Sequence, residues 1–195
     1  MSRLLLVLGT PGVGKSTLAR ILAKKLGLQL VEVGVLVKRE KLYQRFDKGT
    51  KSYVMDEKRV RRRLQALISD KDAIISTHSV GLTVLPRWVR LAIVLRLDPT
   101  VLYRRLRAKR WSRQKIWENV ESELVDVCLE EAVRLFGRDK VFEINTTSKS
   151  PSRVVSEALR IVKGGTRVSR PQVDWLSTHD PVVLGRRFGW KNSTL

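Results

Sequence analysis

The stretch Gly9-Thr10-Pro11-Gly12-Val13-Gly14-Lys15-Ser16 follows the apolar run Leu4 to Leu8 and precedes the helical pattern Thr17 to Leu26. It satisfies G-x-x-x-x-G-K-[ST] at every fixed position, and it lies between a buried strand and a helix N-terminus, where that motif must lie. Glycines let the backbone curl so that successive N–H groups point inward, and the first helical turn adds unpaired N–H groups and the positive end of its dipole. The result is an anion cradle. Lys15 is expected to reach the β- and γ-phosphates of a nucleoside triphosphate there, and the Ser16 hydroxyl to ligate Mg²⁺.

Outward from this loop, strand and helix patterns alternate. Leu4 to Leu8 reads as a central parallel strand and Thr17 to Leu26 as its crossover helix, stopped by Gly27. Leu28 to Val33 reads as a second strand, Val35 to Tyr43 as a basic helical stretch, and Gln44 to Val54, poor in apolar residues, as a mobile loop. Asp56 caps a helix over Glu57 to Ile68 whose exposed face carries Lys58, Arg59, Arg61, Arg62 and Arg63. A third strand from Asp72 ends at Ser76-Thr77-His78, and a fourth, Leu91 to Leu97, ends at Asp98-Pro99 before a helix over Thr100 to Arg107. One long helix is predicted from Ser112 to about Phe136, with Ile116, Val120, Leu124, Cys128, Ala132 and Leu135 on its apolar stripe. Lys140 to Ile144 is the fifth strand, and Ser150-Pro151 opens a last helix, over Val154 to Val162, that Gly164-Gly165 stops. This alternation implies an α/β fold, a doubly wound parallel five-stranded sheet with nucleotide at the carboxyl ends of its strands.

From Thr166 onward Pro171, Pro181 and isolated aromatics replace the alternation, so residues 1–165 read as the domain and 166–195 as a tail. Trp175, Phe188 and Trp190, interleaved with Arg186, Arg187 and Lys191, suit either stacking on RNA bases, docking on a protein partner, or packing across the domain.

The formal net charge is +20. A field of that sign attracts polyanions such as RNA as well as nucleotides, although a generally basic proteome produces it too. Arg104, Arg105, Arg107, Lys109, Arg110, Arg113 and Lys115 lie within twelve positions that hold no acidic residue, a self-repelling run unless an anion faces it. The single cysteine, Cys128, excludes an internal disulfide and reads as a core thiol in a reducing, cytoplasmic setting. No apolar run approaches the roughly 20 residues that span a bilayer.

The chain resembles a family, the small adenylate kinase-like proteins of ribosome biogenesis called adenylate kinase isoenzyme 6 in eukaryotes, with archaeal counterparts. The resemblance rests on the phosphate loop, Val33-Gly34 with Leu42-Tyr43, Asp56-Glu57 with Arg59-Val60, Pro86-Arg87-Trp88, Val94-Leu95-Arg96, Val101-Leu102-Tyr103 with Arg105-Leu106, and Lys115-Ile116 with Glu118-Asn119. Asn145-Thr146-Thr147 with Lys149 and Pro151, and Val173-Asp174-Trp175, are similar to the archaeal branch. The resemblance implies a P-loop NTPase fold of the nucleoside monophosphate kinase type, ATP and Mg²⁺ as cofactors, transfer from ATP to AMP or another nucleoside monophosphate, and ATPase activity. It further implies work on the small ribosomal subunit beside a platform ribosomal protein and rRNA, with no membrane.

Carried over by position, the resemblance implies ATP-phosphate contacts from Gly12, Gly14, Lys15, Ser16 and Thr17, and an adenine-side lysine at Lys149. It implies a monophosphate region at about Glu32 to Met55, and a lid at about Lys109 to Arg113, with Lys109 at the lid arginine's place and Arg110 beside it. Lys38 and Arg39 are the candidates for the acceptor phosphate, although a solvated basic helix face would hold the same residues. Two positions depart from the family. Its Asp-x-His reads Ser76-Thr77-His78 here, so the metal-orienting carboxylate is replaced while His78 remains tied to ATPase function, and Val35 replaces a usual aspartate. Glu32 or Asp98 could substitute. The alternative expectation is a catalytically weakened ATP-binding switch in assembly.

Overall fold

The computed structural model describes residues 4–49, 52–68, 71–79, 81, 86–164 and 173–190. Gly165, Thr166, Pro171 and Lys191, named above, lie outside the described residues. A five-stranded parallel sheet forms the centre, in the order β2 (Gln29–Glu32), β5 (Ala73–Ser76), β1 (Leu4–Leu8), β6 (Val89–Arg96), β7 (Val141–Asn145). Strand β1 is buried throughout because it pairs with β5 on one side and β6 on the other and is covered on both faces.

Alternate β1 residues enter two cores. Leu5 and Val7 pack with α1 (Lys15–Leu26), α4 (Pro99–Ala108), α5 (Arg113–Leu124) and α7 (Pro151–Val162); Leu4, Leu6 and Leu8 pack with α2 (Val33–Arg39), α3 (Glu57–Ile68) and α6 (Val127–Phe136). The fold is therefore a P-loop α/β/α sandwich. Helix starts follow the capping chemistry that the sequence suggests. Asp98 accepts from the backbone of Thr100 and Val101, at 2.8 and 3.1 Å, Asp56 from Arg59 at 3.1 Å, and Ser150 from Arg153 at 3.4 Å.

Two expectations need correction. The segment read as the end of a helix and a loop is a hairpin, β3 (Tyr43–Asp47) and β4 (Ser52–Met55), antiparallel and separate from the main sheet. Its apolar content is low, but its rings cluster across the strands: Tyr43 and Tyr53 lie 4.3 Å apart and Phe46 and Tyr53 5.1 Å. The Asp47 carboxylate accepts from the Gly49 amide at 2.7 Å and tightens the turn.

The long helix expected from Ser112 to Phe136 is two helices, α5 and α6, broken at Val125 and Asp126. Its apolar stripe is core, but it serves both faces of the sheet: Ile116, Val120 and Leu124 join one core, Cys128 and Ala132 the other. A straight helix cannot pass from one face to the other. Asp126 turns the chain in left-handed backbone at φ +58, and the Glu123 carbonyl, which a continuous helix would give to the residue-127 amide, accepts instead from Arg96 Nη2 at 2.9 Å.

That guanidinium is 1% exposed. Its Nε donates to Glu123 Oε1 at 2.9 Å, its Nη1 to Glu143 at 3.0 Å, and its Nη2 also pairs with Asp126. Glu123 accepts in addition from the Leu97 amide at 3.0 Å and, at 3.3 Å, from the indole N–H of Trp175.

The C-terminal aromatics pack against the domain. Trp175 is buried, Phe188 stacks on Tyr103 of α4 at 3.8 Å, and Trp190 lies parallel to Trp117 of α5 at 6.0 Å. Between them α8 (Pro181–Arg187) starts on an Asp180 cap, and His179 bonds Asp98 at 2.9 Å. No helix among the described residues is long and apolar enough to cross a membrane.

Replacing Arg96 strands buried carboxylates, so Arg96→Leu is expected to lower stability by about 3–5 kcal/mol, read as a fall in the urea midpoint of the circular-dichroism transition.

Candidate active site

The phosphate loop is shaped by what lies behind it. At Gly9, φ +131, a Cβ would stand 2.5 Å from the Leu95 carbonyl oxygen, and at Gly12, φ +103, 2.9 Å from methyls of Leu102 and Leu106. Both close approaches press the loop onto β6 and α4. Thr10 donates its hydroxyl to Glu123 Oε2 at 2.6 Å, and the Lys15 ammonium donates to the Thr10 carbonyl at 3.0 Å. Arg105 of α4 donates to the Gly12 carbonyl at 3.3 Å. The loop backbone is thus held from three sides, while Ser16 and Thr17 stay exposed on the first turn of α1.

Burial lowers the Lys15 ammonium to about 8; Cys128 and Glu123 oppose that fall and Lys109 adds to it. Cys128 itself is a buried thiol whose Sγ donates to the His78 carbonyl at 3.3 Å, and burial pushes it up to about 11, as suits a core residue.

Beside the loop, a cavity of about 140 Å³ opens between α1 and the start of α7, lined by Gly14, Thr17, Ile21, Arg105, Lys149 and Val154 among others. Its aliphatic floor and cationic rim suit a flat, polar-edged ring. Lys149 is oriented by Glu157 at 2.7 Å, and Thr146 bonds the Arg96 carbonyl at 2.8 Å, fixing the β7–α7 loop above the cavity.

On the opposite side of the loop, β5 ends in buried Ser76 and Thr77, with His78 exposed at the rim. Partial desolvation at the rim and the positive field of Lys15 and Lys115 lower the His78 imidazole below its ordinary value, so the ring is neutral at neutral pH. Lys109, in the short connection between α4 and α5, lies close enough to Lys15 to act on its charge, and Lys38 of α2 lies 6.0 Å over the Tyr53 ring. These residues converge. Arg39 turns instead to Glu40 at 3.1 Å, and Arg110 is exposed in left-handed backbone at φ +57.

Neither carboxylate considered as a replacement for the family aspartate is uncommitted. Glu32 is in register with Ser76 on the neighbouring strand, but it pairs with Arg20 at 3.2 Å; Asp98 caps α4 and holds His179. Among the described residues no group of three or more His, Cys, Asp or Glu side chains could hold a metal by itself. The Ser16 hydroxyl fits a hard cation that brings its remaining oxygens from phosphate and water.

Arg105, Glu123, Lys115 and Trp175 support the site, a role that sequence reading gave to none of them. Arg105 and Lys115 stood in a basic run and in the motifs of the family resemblance, Trp175 among the C-terminal aromatics, and Glu123 in a predicted helix with no feature of its own. A tie from residue 10 to residue 123 has no local signal.

A family model described as an AAA domain matches residues 5–126. The chain is 35% identical over 180 residues to a Sulfurisphaera tokodaii protein named "Putative adenylate kinase", covering 91% of this chain and 88% of that one. A Pyrococcus abyssi protein of the same name is 34% identical over 186 residues, covering 95% and 98%. Among solved structures, shikimate kinase from Acinetobacter baumannii in complex with shikimate superposes with a TM-score of 0.59 at 20% identity, covering 85% of this chain and 96% of that one, a likeness of fold. With its phosphate loop set between β1 and α1 and its sheet in this order, the chain belongs to the adenylate kinase-like family that these archaeal proteins represent.

Proposed function

We propose that the protein is a nucleoside monophosphate kinase that transfers the γ-phosphoryl group of ATP to AMP or a related acceptor, with accompanying ATPase activity. The observation that carries this reading is the convergence of a complete phosphate loop, a cavity the size of a purine ring on one side of it and a cationic cleft on the other. Donor and acceptor then meet end to end across the loop.

The chemistry asked of the chain is alignment and charge neutralisation. The loop amides and Lys15 hold the donor phosphates, with Gly12, Gly14, Ser16 and Thr17 forming the cradle. The adenine lies in the cavity, between the guanidinium of Arg105 and Lys149. Lys109 and Arg110 close from the α4–α5 connection, which makes residues 109–113 the lid, and exclude water so that transfer outruns hydrolysis. Residues 32–55 receive the monophosphate through Lys38, while Arg39 rests on Glu40. Mg²⁺, held through Ser16, supplies further neutralisation of the β- and γ-phosphate oxygens when bound. His78, neutral at the strand end, orients water by hydrogen bonding for the hydrolytic side reaction.

Ser76 is the weak point of this machinery. Without a carboxylate there, outer-shell orientation of the cation is loosened, and loss of such partners costs about 10–100-fold in metalloenzymes. Ser76→Asp is therefore expected to raise kcat for ADP formation about tenfold or more, and Lys15→Ala to abolish it, in a coupled assay with Mg²⁺ and AMP. Unchanged turnover in Ser76→Asp would show that the serine is compensated.

The second part of the proposal concerns a polyanionic partner, supported by the net charge of +20 and by the exposed row Lys58, Arg59, Arg61 and Arg62 on α3, on the outer surface of the domain. We place the enzyme in the cytoplasm at the small ribosomal subunit, next to a platform ribosomal protein and rRNA, with nucleotide state gating its release. Binding of single-stranded RNA should weaken as salt rises, with a log–log slope of about −0.7 per phosphate contacted, and replacing those four residues by Ala should flatten the slope. Salt-independent binding would contradict it.

A further inference from the structure

Most cations with a structural role in this protein sit on carboxylates: Arg20 on Glu32, Arg63 on Glu40, Arg96 on its three acids, Lys149 on Glu157. Three lysines of the cleft sit on aromatic faces instead. The Lys115 ammonium lies 4.5 Å from the centroid of Trp111, the Lys109 ammonium 5.9 Å from the same ring, and Lys38 6.0 Å from Tyr53. Lys115 makes no ion pair among the described residues. An aromatic face positions a cation without cancelling its charge. Two ammonium groups on one indole, with a third from α2 nearby, repel one another unless an anion comes between them.

The cleft cations also divide by neighbour. Lys15 feels Lys109, whereas Lys115, part-buried, feels Lys38; Glu118 and Asp47 also act on Lys115 and oppose the lowering that burial and Lys38 impose. His78 stands between the two pairs, acted on by Lys15 and by Lys115. One pair belongs to the phosphate loop. The other spans α2 and the first turn of α5, whose start is fixed by the Ser112 cap, accepting from the Lys115 amide at 3.3 Å.

We infer that Lys115 is a substrate-binding residue that, opposite Lys38, holds the phosphate of the acceptor, with Trp111 keeping its ammonium extended into the cleft until that phosphate arrives. The ligand class is a phosphomonoester dianion on a nucleoside. This inference rests on the phosphotransfer reading above and adds to it the acceptor's second cation, from the lid side of the cleft.

The test is equilibrium binding of AMP and, separately, of ATP to the full chain by calorimetry, alongside steady-state kinetics, for the native protein, Lys115→Met, Lys115→Arg and Lys163→Met. Methionine keeps the stem against Trp111 and removes the charge; Lys163, exposed at the end of α7, controls for net charge. The expected result is an AMP Kd and KM at least tenfold higher in Lys115→Met, ATP affinity within twofold of native, recovery in Lys115→Arg, and no change in Lys163→Met. Retained ATP binding reports that each variant is folded. Equal AMP binding by native and Lys115→Met protein, or an equal loss of ATP binding, overturns the assignment while leaving the kinase reading standing. AMP held through Lys115 but yielding no ADP overturns the kinase reading and supports the assignment. No AMP binding to the native chain overturns both.

Discussion

The structure turns on one buried charge. A guanidinium at the end of the inner strand β6 cannot remain in an apolar sandwich unless acids come to it, and three do, from α5, from the α5–α6 break and from β7. The consequence reaches beyond the core. Glu123 uses one oxygen for Arg96 and the other for Thr10, so neutralising the core fixes the second residue of the phosphate loop. The same carboxylate takes the indole N–H of Trp175, so the C-terminal segment is tied to the loop through a single side chain.

This arrangement explains how the phosphate loop is held in shape while Ser16 and Thr17 stay exposed. Its backbone is pressed on β6 through Gly9, on α4 through Gly12 and Arg105, and on α5 through Thr10. The side chains proposed to meet substrate are treated differently. Among the described residues none of them pairs with a carboxylate: Ser16 and Thr17 are exposed, Lys109 and Lys115 rest on a ring, and Lys38 lies over another. Rigid support behind and unneutralised charge in front is what electrostatic stabilisation of phosphoryl transfer requires.

The phosphate loop and the five strands were legible in the sequence because each has a local signature: glycines at fixed spacing, short apolar runs, and Asp or Ser caps followed by proline. The hairpin was not, since Tyr43, Phe46 and Tyr53 stabilise it only once the strands are paired, and Arg45 and Lys48 lower its apparent apolar content. The break at Asp126 was hidden for a related reason. The stripe from Ile116 to Ala132 keeps helical period across it, and the cause lies in Arg96, some thirty positions away. For the aromatics of the C-terminal segment the sequence left RNA bases, a protein partner and the domain open, and the stacking of Phe188 on Tyr103 decides for the domain in the isolated chain. Site residues followed the same division. Lys15 and Ser16 declare themselves by motif, whereas Glu123 and Lys115 acquire meaning from what faces them.

The most direct test of the central claim is to follow the phosphorus signals of ATP, AMP and Mg²⁺ mixed with the native chain. The account predicts that ATP and AMP disappear together and two ADP appear for each pair, with inorganic phosphate a minor product. Release of inorganic phosphate at a rate indifferent to AMP, or ATP that stays intact, would contradict it.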